Sequence, residues 1–251
     1  RPYNDWIMGT KITPYTTPEN ESKKQQVKRM FDNIAHKYDF LNHFFSLGID
    51  VLWRKRCIRI LRKEDPQTII DMATGTADFA IEAIRMGLNA HVTGVDISRG
   101  MLDVGDEKLK VKGYEDRITL QQGDSENLPF EDKSFDAYTV GFGVRNFENM
   151  EEGLKEMYRV LEINGTLIIL EPSTPSIFPF KQIYKLYFSY LLPFVGKLIS
   201  KDESAYKYFT QSVKAFPEKN EFIDTLKKIG FKNCKQKSLT FGVASLYIAK
   251  K

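Results

Sequence analysis

At 251 residues, 42% hydrophobic and 28% charged, the chain has the size and composition of one large globular domain, or of a domain with an insertion. Its 37 basic and 33 acidic residues leave a charge of +4, too mild to point to nucleic acid. Cys57 and Cys234 offer neither metal spacing nor a disulfide framework, and His36, His43 and His91 are scattered, so a reducing cytosol is expected and no metal site.

Residues 9–21 are rich in Thr, Pro and Asn, and residues 1–21 read as a loosely held arm before a single domain, 22–251. Ser22 can cap a helix whose apolar positions Val27, Met30, Phe31, Ile34, Tyr38 and Leu41 recur at three- and four-residue spacing. A second helix, about 50–63, holds six basic residues and no acid in "WRKRCIRILRK". It is either a solvated face with an apolar back or a contact for an anionic surface.

The pattern then changes. "TIIDMA" (68–73), "AHVTGVDI" (90–97), "RITLQQGD" (117–124), "SFDAYTVGF" (134–142) and "GTLIILEP" (165–172) read as strands. Helix-like stretches at 78–87, 98–113 and 150–165 separate them. Such alternation predicts βαβ units, a mostly parallel sheet, and every strand's carboxyl end on one edge. It stops after strand five. Residues 176–200, "SIFPFKQIYKLYFSYLLPFVGKLIS", are too apolar all round for an ordinary surface helix. They suggest a helical insertion at about 173–210, either packed on the domain or serving as a lid over an apolar pocket that also touches lipid. An amphipathic helix at 216–231 follows, and two strands turning near Phe241–Gly242 end the chain. No leader is recognised at the start, and no apolar run approaches the ~18 residues that span a bilayer.

Chemistry gathers at the strand ends. In "IIDMATGTADFA" Gly75 permits close backbone approach, while Asp71 and Asp78 bracket the turn with carboxylates. Asp96 ends strand two, where a carboxylate can accept both hydroxyls of a ribose; Asp124 and Ser125 follow strand three, where they can meet an adenine edge. Three such features at successive strand ends point to an adenosine-type ligand. A dinucleotide would want G-x-G-x-x-G, and "GTADFA" supplies only its first glycine. Asp71 and Asp78 would repel a pyrophosphate but favour the ammonium and sulfonium of S-adenosylmethionine.

The chain resembles the ubiquinone/menaquinone biosynthesis C-methyltransferases, within the class I S-adenosylmethionine-dependent enzymes. The likeness runs through "RMFDNIAHKYDFLN", "DMATGTAD", "GVDISRGML", "GDSENLPFEDKSFDAYTVGFGVRN" and "YFTQSVKAFPEKNEF". It implies an α/β fold: a Rossmann-like, doubly wound, seven-stranded and mostly parallel sheet with a terminal antiparallel strand, N-terminal helices and the insertion after strand five. It also implies methylation of a polyprenylated quinol ring carbon. Thr74, Asp96, Asp124 and Ser125 would then contact the cofactor, with Asp71 and Gly75 beside them. Two departures from the family pattern are Ala77, where many members have glycine, and Gly141, where some have serine.

"GFGVRN" would stand beside the sulfonium. Arg145 can stabilise a ring oxyanion, and Asn146 can orient the hydroxyl or a water. Gly141 and Gly143 would leave room for a flat ring. Against this, Arg145 could pair with Glu148, and Asn146 could cap the helix that begins nearby. Tyr38 is either a pocket residue or part of a buried stripe; no general base stands out. The expected substrate is demethylmenaquinol, handled by a cytoplasmic protein that touches the inner face of the plasma membrane. A homodimer through the insertion is open. The competing readings are a methyltransferase of another apolar phenol or lipid, a non-catalytic scaffold subunit and, last, a dehydrogenase.

Overall fold

The computed structural model describes residues 12–15, 21–187, 203–217 and 219–251. The sheet has seven strands: β1 (Thr68–Met72), β2 (His91–Asp96), β3 (Ile118–Gln122), β4 (Phe135–Gly141), β5 (Leu161–Pro172), β6 (Lys232–Leu239) and β7 (Ala244–Lys250). Their order is β3-β2-β1-β4-β5-β7-β6. β1 pairs in parallel with β2 and β4, β2 with β3, and β4 with β5. β7 is antiparallel to both β5 and β6, so it alone runs against the rest. The expected doubly wound sheet with a reversed strand near its end is therefore present.

Successive side chains of a strand point to opposite faces, and here both faces are covered. Ile69, Val92, Ala137, Ile168 and Leu246 pack beneath α2 (Ile49–Leu61) and α3 (Asp78–Arg85). Their strand neighbours Ile70, Tyr138, Ile169 and Tyr247 pack beneath α5 (Met150–Val160) and α8 (Asn220–Ile229). Along the chain, α4 (Arg99–Lys112) falls between α3 and α5, and α6 (Phe180–Leu186) and α7 (Glu203–Ala215) fall between α5 and α8. In α2 the apolar back, Cys57, Ile58 and Leu61, is fully buried, while Arg56 and Arg59, with Arg62 and Lys63 just past its end, are exposed. Arg54 departs from that face. It is buried, donating to Asp50 at 2.6 Å.

α1 (Lys23–Ser46) is capped as the sequence suggests. Ser22 Oγ accepts from Gln25 N, and Gln25 Oε1 accepts from Ser22 N. Polar contacts fix this helix to the strand-end edge of the sheet. Asp32 accepts from Ser98 Oγ and Gly100 N, and Asp39 from Thr76 Oγ1 and Lys108 Nζ.

Two boundaries differ from expectation. The helix expected over 150–165 ends at Val160, and β5 begins at once. Phe135 pairs with Leu161 but Ala137 with Thr166, so residues 162–165 loop out of the register. Asn164, at φ 66, and Gly165 make that turn, which a helical reading of "LEING" overlooks. The helix expected from 216 starts at Asn220. Of the apolar stretch 176–200, α6 is described, while 188–200 lies outside the described residues, as does most of the arm.

Candidate active site

Gly75 leaves β1 at φ +58, a left-handed conformation that glycine adopts without steric cost. Its amide is thereby turned toward β2 and donates to Asp96 Oδ2 at 2.8 Å. Asp96 Oδ1 accepts from Ser98 N at 2.9 Å. Asp71 accepts from Thr74 Oγ1 and Thr139 Oγ1, both at 2.6 Å. Among the described residues neither carboxylate has a cation within ion-pair distance, and burial pushes both pKa values up to about 6. Two buried, desolvated carboxylates at one strand edge would be relieved by a ligand carrying positive charge and hydroxyls.

The space beside them is a cleft of about 610 Å³, counting its open mouth. Its wall includes Gly75, Asp96, Asp124, Ser125, Asn146 and Tyr38. A smaller hollow continues past Gly75 to Asp71, Thr74, Asp78 and Arg54, and Tyr38 borders both spaces. The structure thus brings the sequence-derived cofactor residues to one cavity system, with differing freedom. Thr74 gives its hydroxyl to Asp71. Asp124 is ion-paired with Lys24 of α1 at 2.6 Å and also accepts from Glu126 N. Asp78 is held by Lys108 and by Arg54. Tyr38 reaches over Gly75, and burial raises its pKa, so the phenol stays protonated near neutrality.

The loop after β4 carries the other half of the site. Phe142 sits at φ 63, which turns its carbonyl toward the following 3₁₀ turn, Val144–Asn146. That oxygen accepts from both Arg145 Nη1 and Asn146 Nδ2. Neither alternative partner proposed for these residues is found. Arg145 pairs with Glu171 at 3.0 Å rather than with Glu148, whose carboxylate accepts instead from Lys23 N. The cap of α5 is Asn149, accepting from Glu152 N, and Asn146 Oδ1 accepts from Tyr208 of α7 at 3.1 Å. Gly143 is needed by packing more than by a ring: a Cβ there would lie 2.5 Å from Ala73 Cβ. Both Gly141 and Gly143 border the cleft.

Arg145 is only 8% exposed, and its Nε has no hydrogen-bond partner among the described residues. It lines two further cavities. One is a largely apolar groove of about 1290 Å³ bounded by Trp53, Phe142, Phe180, Tyr184, Phe209 and Phe241. The other, about 690 Å³, lies between α1 and α7. Phe142 borders the cofactor cleft and the groove alike, so the two meet at this loop.

A profile of the ubiE/COQ5 methyltransferase family matches residues 19–251. The chain belongs to that family. It is a methyltransferase, and S-adenosylmethionine, whose charge and hydroxyls suit Asp71 and Asp96, is its methyl donor. Over 242 residues it is 48% identical to a demethylmenaquinone methyltransferase of Bacteroides fragilis, covering 96% of this chain and 98% of that one. It is 43% identical to a ubiquinone/menaquinone biosynthesis C-methyltransferase of Geotalea daltonii, across 91% and 97% of the two chains. Among solved structures, a methyltransferase of Thermotoga maritima superposes with a TM-score of 0.62 at 19% identity, covering 89% and 99%. That likeness speaks for the fold. No group of His, Cys, Asp and Glu among the described residues could hold a metal ion.

Glu171, Tyr208, Phe142 and Lys23 are the site-building residues that sequence reasoning missed. Only Glu171 left a clear signal. A lone carboxylate inside "LIILEPS" has to find a cation, and Gly141 pairs with Leu170, which places Glu171 opposite the strand-four loop.

Proposed function

We propose that this chain methylates a ring carbon of a polyprenylated quinol, demethylmenaquinol first among them. The observation that carries the reading is Arg145, a buried guanidinium with an unpaired Nε, set where an apolar groove meets the cofactor cleft. A quinol headgroup on a prenyl tail matches that pairing of a cation with a hydrophobic channel. The names of the relatives point to the same substrate class.

S-adenosylmethionine supplies an electrophilic methyl group. The work of the chain is to make the ring carbon nucleophilic and to hold it in line. A ring hydroxyl gives its proton to solvent, and Arg145 and Asn146 donate to the resulting oxygen. Negative charge then reaches the adjacent carbon, which forms the new C–C bond as the donor's S–C bond breaks. The hydrogen on that carbon leaves as a proton and the ring regains aromaticity. Tyr38, Gly75 and Gly141 bound the space where ring and donor meet. Asp71 and Asp96 hold the cationic and ribose ends, and Asp124 with Ser125 the adenine end.

The rim of the groove favours contact with a membrane surface. Leu47 and Phe241 are exposed at its mouth, Phe178 is exposed just before α6, and Lys181 and Lys185 flank them. No described helix is long and apolar enough to cross a membrane.

The deciding experiment is methyl transfer from labelled S-adenosylmethionine to chemically reduced demethylmenaquinone, with the oxidised quinone as control. Product from the quinol alone supports both the substrate and the quinolate step. No product, with S-adenosylmethionine still bound, removes the substrate assignment and leaves the fold and cofactor site standing.

A further inference from the structure

We propose that Tyr208 is a positioning residue for methyl transfer, holding the Asn146 amide so that it offers the ring oxygen N–H groups only. The inference rests on the quinol reading above and deepens it. With Asn146 fixed in this way beside Arg145, the loop after β4 becomes a site made of donors. It recognises the ring oxygen as an anion and takes no proton from it.

An asparagine amide can face a substrate with either its oxygen or its nitrogen, and the two ends do opposite chemistry. Here its partners settle the choice. Asn146 Nδ2 lies 3.3 Å from the carbonyl oxygen of Phe142, which can only accept. Turning the amide over would set two acceptors against each other. The other end, Oδ1, is 3.1 Å from the Tyr208 hydroxyl. Tyr208 is 2% exposed, and burial raises its pKa well above the usual phenol value, so it keeps its proton and donates. Oδ1 is thus engaged, one N–H is spent on Phe142, and one N–H remains.

The charged groups around the pair agree with this polarity. Arg145 stands next to Asn146 with Nε unpaired, and the charge of its Nη1 is balanced by Glu171 from β5. Glu171 is fully buried, accepts from Val144 N at 2.7 Å and from Arg145 Nη1, and lines neither the cleft nor the groove, so it does not meet the substrate's hydroxyl. Lys23 Nζ donates to the carbonyls of Arg145 and Phe147. Tyr38, from α1, borders the same cavity as Asn146 and is protonated. The carboxylates that share the cleft wall with Asn146 are held elsewhere: Glu126 by Lys24 and by the amides of Glu148 and Asn149, and Glu148 by the amide of Lys23.

Tyr208 comes from α7, past the apolar stretch 176–200, whereas Asn146 comes from the sheet edge. A hydrogen bond between them ties the seating of α7 to the polarity of the catalytic loop.

Two variants and one spectroscopic probe test the proposal. Tyr208→Phe keeps the ring packing and removes the hydroxyl. It should lower kcat about tenfold at neutral pH, the usual size for losing one hydrogen bond that acts on a charged group. It should also move the acid limb of the kcat–pH profile upward, with KM for S-adenosylmethionine unchanged. Asn146→Asp keeps an acceptor for Tyr208 but replaces the donor by a negative charge, and should lose at least a hundredfold. The probe is 2-prenyl-1-naphthol, whose absorbance reports its ionisation without turnover. Bound to the wild-type protein it should ionise at lower pH than in water, and less so in Tyr208→Phe. A Tyr208→Phe protein with only a lowered Tm, or an active Asn146→Asp protein, overturns the proposal. If Tyr208→Phe does not fold, Asn146→Asp decides alone. Should the quinol not be methylated at all, the proposed substrate fails, while the naphthol titration still reads whether the loop favours an anion.

Discussion

Glu171 Oε2 lies 3.0 Å from Arg145 Nη1, and Glu171 Oε1 accepts from the amide of Val144 at 2.7 Å. One fully buried carboxylate therefore holds both the backbone of the loop after β4 and its guanidinium. Removing either partner of such a pair leaves an uncompensated buried charge and costs about 3–5 kcal/mol. Arg145→Ala should consequently lose stability as well as methyl transfer. The double substitution Arg145→Met with Glu171→Met separates the two effects. It should recover most of the melting temperature lost by either single change and none of the activity. Thermal denaturation of the four proteins, with S-adenosylmethionine binding by calorimetry, checks this. Recovery of activity together with stability would make Arg145 a scaffold residue.

Cofactor affinity should depend on pH in the acid range. Burial holds Asp71 and Asp96 at pKa values of about 6, above those of the unfolded chain. Each is a group with a raised folded pKa, so the stability it contributes to the unliganded protein is full below about pH 4 and is lost as pH rises through about 6. A cationic ligand reverses the preference by favouring the ionised forms. S-adenosylmethionine should bind roughly tenfold more weakly at pH 5 than at pH 7 for each carboxylate that must ionise. Proton release on binding should show as heats that vary with the ionisation enthalpy of the buffer. Asp96→Asn should remove about half of the pH dependence; an unchanged profile would mean that binding does not require Asp96 to ionise.

The part of this site readable in the sequence was the part set by topology. Asp71, Gly75, Asp96, Asp124 and Ser125 each stand at or just after a strand end, and a parallel sheet brings such positions to one edge regardless of side-chain detail. Partner choice was not readable. Arg145 has Glu148 three residues away, yet pairs with Glu171, twenty-six residues on, because the β4–β5 register sets Leu170 beside Gly141. Asn146 was a plausible cap until the chain put Asn149 at that place. The hydrogen bond from Tyr208 depends on how α7 seats on the loop, and no local pattern encodes it. Lys24 was unreadable for the same reason: it reaches Asp124 across 100 residues.

Gly143 should be intolerant of a methyl group although its own conformation is ordinary. A Cβ there would meet Ala73 Cβ at 2.5 Å and Val140 Cγ1 at 2.8 Å, and neither neighbour can swing away. Overpacking of this kind costs about 1–3 kcal/mol. The strain falls between β1 and the loop that carries Arg145 and Asn146. Gly143→Ala should therefore lower the melting temperature and reduce kcat more than it weakens S-adenosylmethionine binding. Gly141→Ala is the control, since its Cβ would find only Phe79 at 3.4 Å, and it should be nearly neutral for stability.

Membrane contact, if the groove receives a lipid-borne quinol, should have two components with different salt dependence. Lys181, Lys185 and the exposed basic face of α2 would draw the protein to an anionic surface, at about 1 kcal/mol for each residue near the headgroups, and salt would screen that attraction. Phe178, 77% exposed, and Leu186, 60% exposed, would add an apolar contribution that salt does not weaken. Cosedimentation with vesicles of phosphatidylglycerol and phosphatidylethanolamine should fall as salt rises and then level off above zero. Phe178→Asp with Leu186→Asp should abolish the plateau while leaving the steep low-salt binding in place. Methyl transfer to a short-tailed, water-soluble quinol should persist in that variant, because neither residue borders the groove or the cleft. Absence of binding at every salt concentration would remove the membrane from this account, and the quinol would then have to reach the groove by another carrier.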